Sequence, residues 1–230
     1  MLSGCRWILQ PKSLPSNCHT PNFLWAPCIA AQNHLPLLTE RLVSMPVQKI
    51  TRTELLHACW EQFHRHGYHA SSISALAKAS GLGKAGLLHH FGSKEGIMRA
   101  VIDYAMEQFR QYVLAVVDEG LPLEQRLEIL LRRQNRLTKL DQRGCFFTII
   151  IMETGLDGLF NEPLQAFYTD WQAELARLLA ERWPDSAEAQ ERAYLLILGY
   201  EGAVTMYKLT GDETHLESFV HRAVQSLKSV

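Results

Sequence analysis

Two short apolar patterns at helical spacing lie within residues 72–95, on either side of a glycine-rich break at 81–83. Positions three and four residues apart share one face of a helix, so each pattern predicts one short helix. Ser72, directly before the first pattern, is a residue type that favours helix N-caps. The glycines predict a tight turn, and the whole segment predicts a helix-turn-helix. Its apolar positions are Ile73, Leu76 and Ala77 in the first helix and Leu87 and Phe91 in the second.

The chain after residue 93 shows helical spacing almost throughout. Ser93 is expected to cap a long helix that ends near Val117, and Pro122 to occupy the first turn of the next helix. Residues 145–156 are apolar nearly all round, which predicts a buried segment. Their β-branched side chains also permit a strand, but their position between helical segments favours a helix. A further helix is expected over residues 163–183.

The last two predicted helices carry the pattern that bears on assembly. The first follows a cap at Asp185 or Ser186, and its residues 193–207 contain a single charged side chain, Glu201. Both sides of this helix must therefore be covered. Residues 216–227 carry an amphipathic stripe. Either the two helices complete the core of one subunit, or a second copy of the chain covers their outer side.

Residues 1–44 have a different character, with five prolines, four charged residues and no sustained helical periodicity. They also lack the apolar core of about 7–15 residues that a secretory signal needs. Two interpretations stay open. The segment is a disordered leader, or the protein starts at Met45 and the segment is an upstream extension.

Charge is distributed unevenly along the chain. The 230 residues are 47% hydrophobic and carry a net charge of −1. Residues 45–93 contain five basic and two acidic side chains, whereas residues 94–230 contain 15 basic and 21 acidic ones. A basic head next to an acidic body suits a protein whose head alone meets nucleic acid. No apolar run approaches the ~18 residues that span a bilayer, so we expect no membrane partner.

The stretch from residue 55 to residue 95 resembles the DNA-binding domain of the tetracycline-repressor-like (TetR) family of transcriptional regulators. The resemblance begins in residues 55–68, which look like the family's first helix with its terminal Gly67 and the aromatic Tyr68. It continues through the helix-turn-helix and ends at the Phe-Gly-Ser-Lys-Glu link of residues 91–95. It therefore covers several spaced positions over the whole head.

Two positions depart from the family's pattern. Leu88 stands where an aromatic residue is common, which removes a phenol-to-phosphate hydrogen bond. Gly83 stands where Ser or Thr often caps the recognition helix, and glycine offers no side-chain acceptor there. The resemblance implies an all-α fold, with a three-helix DNA-binding domain over residues 45–93 and a larger helical ligand-binding and dimerisation domain over residues 94–230.

The resemblance also implies that the second helix of the motif enters the DNA major groove. Lys84 and Lys94 are expected to contact phosphates, and His89 to lie near the bases. Arg52 and Ser72 are expected on the DNA backbone. The complete expected DNA-binding set is Arg52, Ser72, Lys84, Ala85, Gly86, Leu88, His89 and Lys94.

In the resembled family the last two helices pair across a two-fold axis, which implies a homodimer and a palindromic operator. The expected interface residues are Tyr200, Ala203, Val204, Tyr207, Phe219, Val220, Ala223, Val224 and Leu227. The family's ligand pocket lies among the central helices. The expected lining residues are Phe109, Tyr112, Cys145, Phe146, Phe147, Met152, Phe167 and Trp171. Such side chains favour a hydrophobic or aromatic effector, although aromatics at helical spacing are also ordinary core.

Other chemistries have weaker support. His64, His66 and His69 lack a thiolate or carboxylate at metal-ligand spacing, and a solvated helix end explains them better. No phosphate loop, nucleophile elbow or carboxylate pair stands out, so we expect no catalytic site, metal or cofactor. Cys145 follows Arg143 near a helix start. It is either an activated sensor thiol or a small buried hydrophobe.

Together these expectations describe a transcriptional regulator, most often a repressor in the resembled family. It would bind double-stranded operator DNA as a homodimer and release it when a small-molecule effector binds. The cysteines suggest no disulfide framework, which favours a reduced, cytoplasmic setting. The alternative is a helical protein-partner binding or assembly module with a vestigial DNA-binding head.

Overall fold

Three helices at the start of the described chain form the predicted helix-turn-helix head. They are α1 (Arg52–Ala70), α2 (Ile73–Ser80) and α3 (Lys84–Phe91). The structure is a computed structural model that describes residues 50–139 and 144–228. The interpretations of residues 1–44 and of Arg143 concern parts of the chain outside these ranges.

Local hydrogen bonds set the boundaries of the head helices. The Thr51 side chain accepts a bond from the Glu54 amide (3.2 Å), and the Glu54 carboxylate accepts one from the Thr51 amide (2.8 Å), which makes a capping box. The Ser72 hydroxyl caps α2 as predicted, at 3.1 Å from the Ala75 amide. Gly83 is the N-cap of α3 and supplies no side-chain bond.

The head has its own apolar centre. Phe63 of α1, Leu76 of α2 and Leu87 of α3 are completely buried. Burying a side chain of this size stabilises the fold by about 1.5–3 kcal/mol. The three helices therefore hold one another, and the outward face of α3 is left for another role.

The body contains the remaining helices of the described chain, and no strand occurs in residues 50–139 or 144–228. Between α4 and α5 lies a short 3-10 segment, Leu114–Asp118. The body helices are α4 (Lys94–Tyr112), α5 (Leu123–Lys139), α6 (Phe146–Thr154), α7 (Asn161–Leu179), α8 (Ser186–Thr210) and α9 (Thr214–Ser226). The all-α class is confirmed. No described helix is long and apolar enough to cross a bilayer.

Several predicted helix boundaries differ from the structure. The helix after Ser93 ends at Tyr112 rather than near Val117, because the chain tightens there into the 3-10 segment. The helix expected from Pro163 begins at Asn161 and ends at Leu179, with the proline in its first turn, where it costs no hydrogen bond.

The apolar segment at 145–156 is a helix, as predicted, but it is not buried on all sides. Phe146, Phe147 and Ile150 are buried, whereas the Met152 side chain is 81% exposed and Leu156, beyond the helix, is fully exposed. The helix packs against the head on one side and against α7 on another. Its outer side has no covering element among the described residues.

Candidate nucleic-acid interface and effector region

The outward face of α3 carries the residues expected to meet DNA. Lys84, Ala85 and His89 are exposed, and nothing lies within 4 Å of the place where a Cβ on Gly86 would sit. Leu88 is half-buried. This face is narrow and uncluttered enough for close approach of a nucleic-acid backbone.

Two further expected contacts flank α3. The Arg52 guanidinium lies 5.5 Å from the centre of the Phe91 ring, so a cation–π contact holds it beside the recognition helix. Ser72 is exposed at the start of α2, where its hydroxyl is already engaged as a cap. Arg52 therefore lies beside α3, and a DNA contact from Ser72 stays a prediction.

Lys94 takes a different position. Its ammonium donates to the His69 carbonyl (3.3 Å) and lies 4.3 Å over the Tyr68 ring, at the junction between head and body. Burial lowers the pKa of Lys94, and the nearby Glu153 carboxylate opposes that shift. A phosphate contact from Lys94 requires this side chain to leave the junction, so that contact stays a prediction.

Of the three histidines near the end of α1, His66 and His69 are exposed, as expected of a solvated helix end, and the third is not. His64, expected to be solvated, is buried, and its Nε2 lies 3.2 Å from the Gly144 carbonyl oxygen. This contact of the imidazole links the head to the start of α6. Within residues 50–139 and 144–228, no group of three or more His, Cys, Asp or Glu side chains is placed to hold a metal ion.

The other end of α6 also binds the head. The Glu153 carboxylate accepts hydrogen bonds from the backbone amides of Tyr68 (2.6 Å) and His69 (3.3 Å), and His69 Nε2 lies 3.0 Å from the Glu153 carbonyl oxygen. These amides are free because α1 is interrupted at Gly67, where φ is +80° and ψ is 171°. We call this contact between Glu153 and residues 67–69 the α6 latch.

Aromatic side chains from α4, α6 and α7 form a cluster in the body. Phe147 and Phe167 stack at 3.7 Å between ring centres, and Phe109 lies edge-on to Phe167 at 5.1 Å and to Trp171 at 5.5 Å. Four expected lining residues thus meet in one place.

The remaining expected lining residues lie at the edges of this cluster or away from it. Phe146 touches Phe147 but also reaches Trp60 of α1 at 6.0 Å. Tyr112 is half-buried beneath Arg133, whose guanidinium lies 5.8 Å from its ring centre. Met152 points outward from α6 and does not join the cluster. Its assignment to the lining is wrong, because the spacing along α6 places it on the outer face.

A polar group beside the aromatic cluster was not predicted. The Glu201 carboxylate of α8 accepts bonds from the Thr148 hydroxyl (2.7 Å) and the Tyr168 hydroxyl (3.2 Å). Burial raises the pKa of Glu201, and these hydroxyls oppose the rise. One sequence signal pointed here, since Glu201 is the single charge in residues 193–207.

Cys145 belongs to the same polar group. Burial raises the pKa of its thiol to about 12, and the Glu201 charge adds to the rise. A thiol with a raised pKa is a poor nucleophile at neutral pH. Burial of the thiol thus favours the small-hydrophobe alternative over the sensor interpretation, which needs a lowered pKa.

Most residues expected at a dimer interface face the core of their own subunit. Only Ala203 and Val224 are partly exposed. The buried members are Tyr200, Val204, Tyr207, Phe219, Val220, Ala223 and Leu227. The apolar side chains that α8 exposes are different ones, namely Tyr194, Leu195, Leu198, Met206 and Leu209. Beside them runs a groove of about 360 Å³ lined by residues of α8 and α9, including Gly199, Gly202 and Ser218.

Two family models match the chain one after the other. The model described as bacterial regulatory proteins, tetR family, matches residues 55–101, which include the helix-turn-helix. The model described as transcriptional regulator LmrA/YxaF-like, C-terminal domain, matches residues 123–222, from α5 into α9. Head and body are therefore both similar to parts of one class of regulator.

Individual relatives agree with these matches. The chain is 24% identical over 145 residues to the HTH-type transcriptional regulator UidR of Escherichia coli (strain K12), covering 61% of this chain and 68% of that protein. A TetR transcriptional regulator from Legionella pneumophila has a similar fold, with a TM-score of 0.71 at 21% identity over 79% of this chain and 99% of that one.

A second similar structure contains DNA. It is a cysteine variant of the TetR-family regulator CifR with 26-base-pair double-strand operator DNA, and it matches with a TM-score of 0.65 and 21% identity over 77% of this chain and 97% of that chain. At such identities the structural likeness establishes the fold. Together with both family models and the curated relatives, which are transcription regulators and not enzymes, it shows that this chain belongs to the tetR family of DNA-binding transcriptional regulators.

Proposed function

We propose that this protein is a cytoplasmic repressor that binds a palindromic operator as a homodimer and releases it when a small-molecule effector enters the body. The observation that carries this proposal is the position of α6. That helix contributes Phe147 to the aromatic cluster and Glu153 to the α6 latch on the head. A molecule that displaces α6 therefore acts on the DNA-binding head directly.

The homodimer is supported by the exposed stripe on α8. Tyr194, Leu195, Leu198 and Leu209 are each about half exposed or more, and they follow one another along a single helix. A row of large apolar side chains on one helix is typical of an association surface. A two-fold axis through this stripe would present two α3 helices to two half-sites of a palindrome.

Effector control is supported by the body's interior. The aromatic cluster borders a polar group at Glu201, a combination that suits recognition of an organic molecule. Bound effector must then weaken DNA binding, and bound DNA must weaken effector binding. A tenfold loss of DNA affinity needs about 1.4 kcal/mol of coupling, and DNA must weaken effector binding by the same factor.

The test uses the full chain and fluorescently labelled DNA flanking its own gene. We expect fluorescence anisotropy to show specific binding to one palindromic fragment, with competitor DNA removing only the non-specific part. Sedimentation should give a mass of twice 26.2 kDa. Binding to no flanking fragment, together with capture of a protein partner through α8, would instead favour an assembly module with a vestigial head.

A further inference from the structure

The body carries a partly buried carboxylate, that of Glu201, and the described residues place no cation beside it. Glu201 accepts bonds from two neutral hydroxyls, those of Thr148 and Tyr168. No Lys, Arg or His side chain of the described residues forms an ion pair with it. Buried carboxylates are normally paired with a cation or with several strong donors. Glu201 thus has an unused capacity for a positive partner.

A second set of unused polar atoms lies on the neighbouring helices. Both amide atoms of the Asn135 side chain on α5, and the indole Nε1 of Trp171 on α7, are buried without a hydrogen-bond partner in the described chain. Asn135 is 2% exposed and Trp171 is 1% exposed. Native proteins leave few buried polar groups unsatisfied, so these atoms call for a partner that the described chain does not supply.

Tyr200 links the two sets. Its hydroxyl lies 2.7 Å from the Thr138 hydroxyl, one turn along α5 from Asn135, and its ring lies edge-on to Trp171 at 6.1 Å. Trp171 in turn lies 5.8 Å from Tyr168, which donates to Glu201. Polar atoms therefore run from Asn135 to Glu201 along a wall of aromatic rings.

We propose that the body recognises an aromatic molecule that carries a protonated amine, with Glu201 as the partner of the amine and Asn135 as the hydrogen-bond partner of a polar group at the other end. This inference rests on the proposed function, because it names the chemical class of the effector. The ring faces of Tyr168 and Trp171 add cation–π attraction for the same charge. An anionic molecule is disfavoured, since its charge would meet the Glu201 carboxylate.

The experiment compares three probes with the same ring system and different charges. Tyramine is cationic, tyrosol is neutral and 4-hydroxyphenylacetate is anionic, and all three carry a phenol hydroxyl at the far end of the ring for Asn135. Binding to the full chain is followed by the quenching of tryptophan fluorescence and by calorimetry. We expect the amine to bind at least about tenfold more tightly than the alcohol, a preference that corresponds to about 1.4 kcal/mol. The acid should bind most weakly.

Three variants and one control show which side chains produce the preference for the amine. Glu201→Gln should bind amine and alcohol equally while melting at the same temperature as the parent or higher, since it removes an unpaired charge. Glu191→Gln, an exposed acid on the same helix, should keep the full preference. Asn135→Leu should weaken both probes and leave their ratio unchanged. Thr148→Val provides a second variant at the Glu201 end should Glu201→Gln fail to fold.

The outcomes separate this inference from the proposed function. Equal binding of the three probes, no saturable binding of the amine, or an amine preference that survives Glu201→Gln would overturn the amine site. If the amine binds through Glu201 but operator affinity does not change, the site stands and effector control fails. If the alcohol and the acid release the operator as well as the amine does, effector control stands and the amine site is wrong.

Discussion

The α6 latch predicts that two substitutions 86 residues apart in sequence, Gly67→Ala and Glu153→Ala, will not have additive effects. A Cβ on Gly67 would lie 1.8 Å from Glu153 Oε1, so the carboxylate must move away and lose its bonds to the Tyr68 and His69 amides. Gly67→Ala thus removes the latch just as Glu153→Ala does. It also strains the backbone, because φ at Gly67 is +80°.

The loss in unfolding free energy can be estimated for each substitution. A hydrogen bond to a charged group contributes about 1.5–3 kcal/mol, so Glu153→Ala should destabilise the protein by about 2 kcal/mol. Backbone strain at such a glycine-only conformation costs about 1–3 kcal/mol. Gly67→Ala should then cost about 4 kcal/mol, the strain plus the lost latch. The double variant should cost the same about 4 kcal/mol rather than about 6, because the latch can be lost only once.

Thermal and urea unfolding of the four proteins measure this cycle. For a chain of this size about 2–4 °C corresponds to 1 kcal/mol, so Glu153→Ala should lower the melting temperature by roughly 4–8 °C. Gly86→Ala is the matched control, since open space surrounds that helical glycine and alanine should be neutral or stabilising there. Additive costs for Gly67→Ala and Glu153→Ala would refute the latch as described.

Three further predictions follow from the head, the α8 stripe and the buried carboxylate. Lys84→Ala should weaken specific and non-specific DNA binding together and reduce the salt slope by about one, whereas Lys208→Ala, exposed on α8, should do neither in the same anisotropy titration. Leu198→Asp should shift sedimentation towards the monomer and raise the dimer dissociation constant at least about tenfold, because a carboxylate in an apolar interface is uncompensated; an unchanged mass would exclude the stripe as the interface. Burial raises the pKa of Glu201 above its usual 4.5, so its charged form penalises the fold above that pH. The melting temperature of Glu201→Gln relative to the parent should therefore rise from pH 4.5 to neutral, and a difference that falls with pH would contradict this sign.

The head could be predicted from sequence because its signals are local. Ser72 precedes the helix that it caps, and the glycines that end α2 and begin α3 lie within three positions of each other. Each signal acts over one turn of helix and does not depend on the rest of the chain. Helix order in the body followed from the same spacing.

The contacts that join head and body could not be predicted in this way. Glu153 and Tyr68 are 85 positions apart, and His64 and Gly144 are 80 apart. Neither pair has a periodic signal, since only the packing of α6 along α1 brings them together. The exposed side of α8 was not predicted correctly for a related reason. A helix that is apolar on both sides does not indicate which side its own subunit covers.

The two ends of α6 are both attached to the head, which bears on the energy that the proposed switch would require. His64 lies within hydrogen-bond distance of Gly144, just before α6, and Glu153 accepts a hydrogen bond near the end of α1. The nine-residue helix α6, about 13 Å long, is therefore bound to the head at both of its ends. Phe147 lies between these contacts and stacks on Phe167. A molecule that separates those rings must tilt or shift α6. Because the helix is rigid, such a movement stretches or breaks the hydrogen bonds at its two ends. A tenfold change in DNA affinity needs about 1.4 kcal/mol. The Glu153 bonds alone are worth about 2 kcal/mol. If the α6 latch forms only in the DNA-bound state, its loss supplies the coupling that the proposed switch needs.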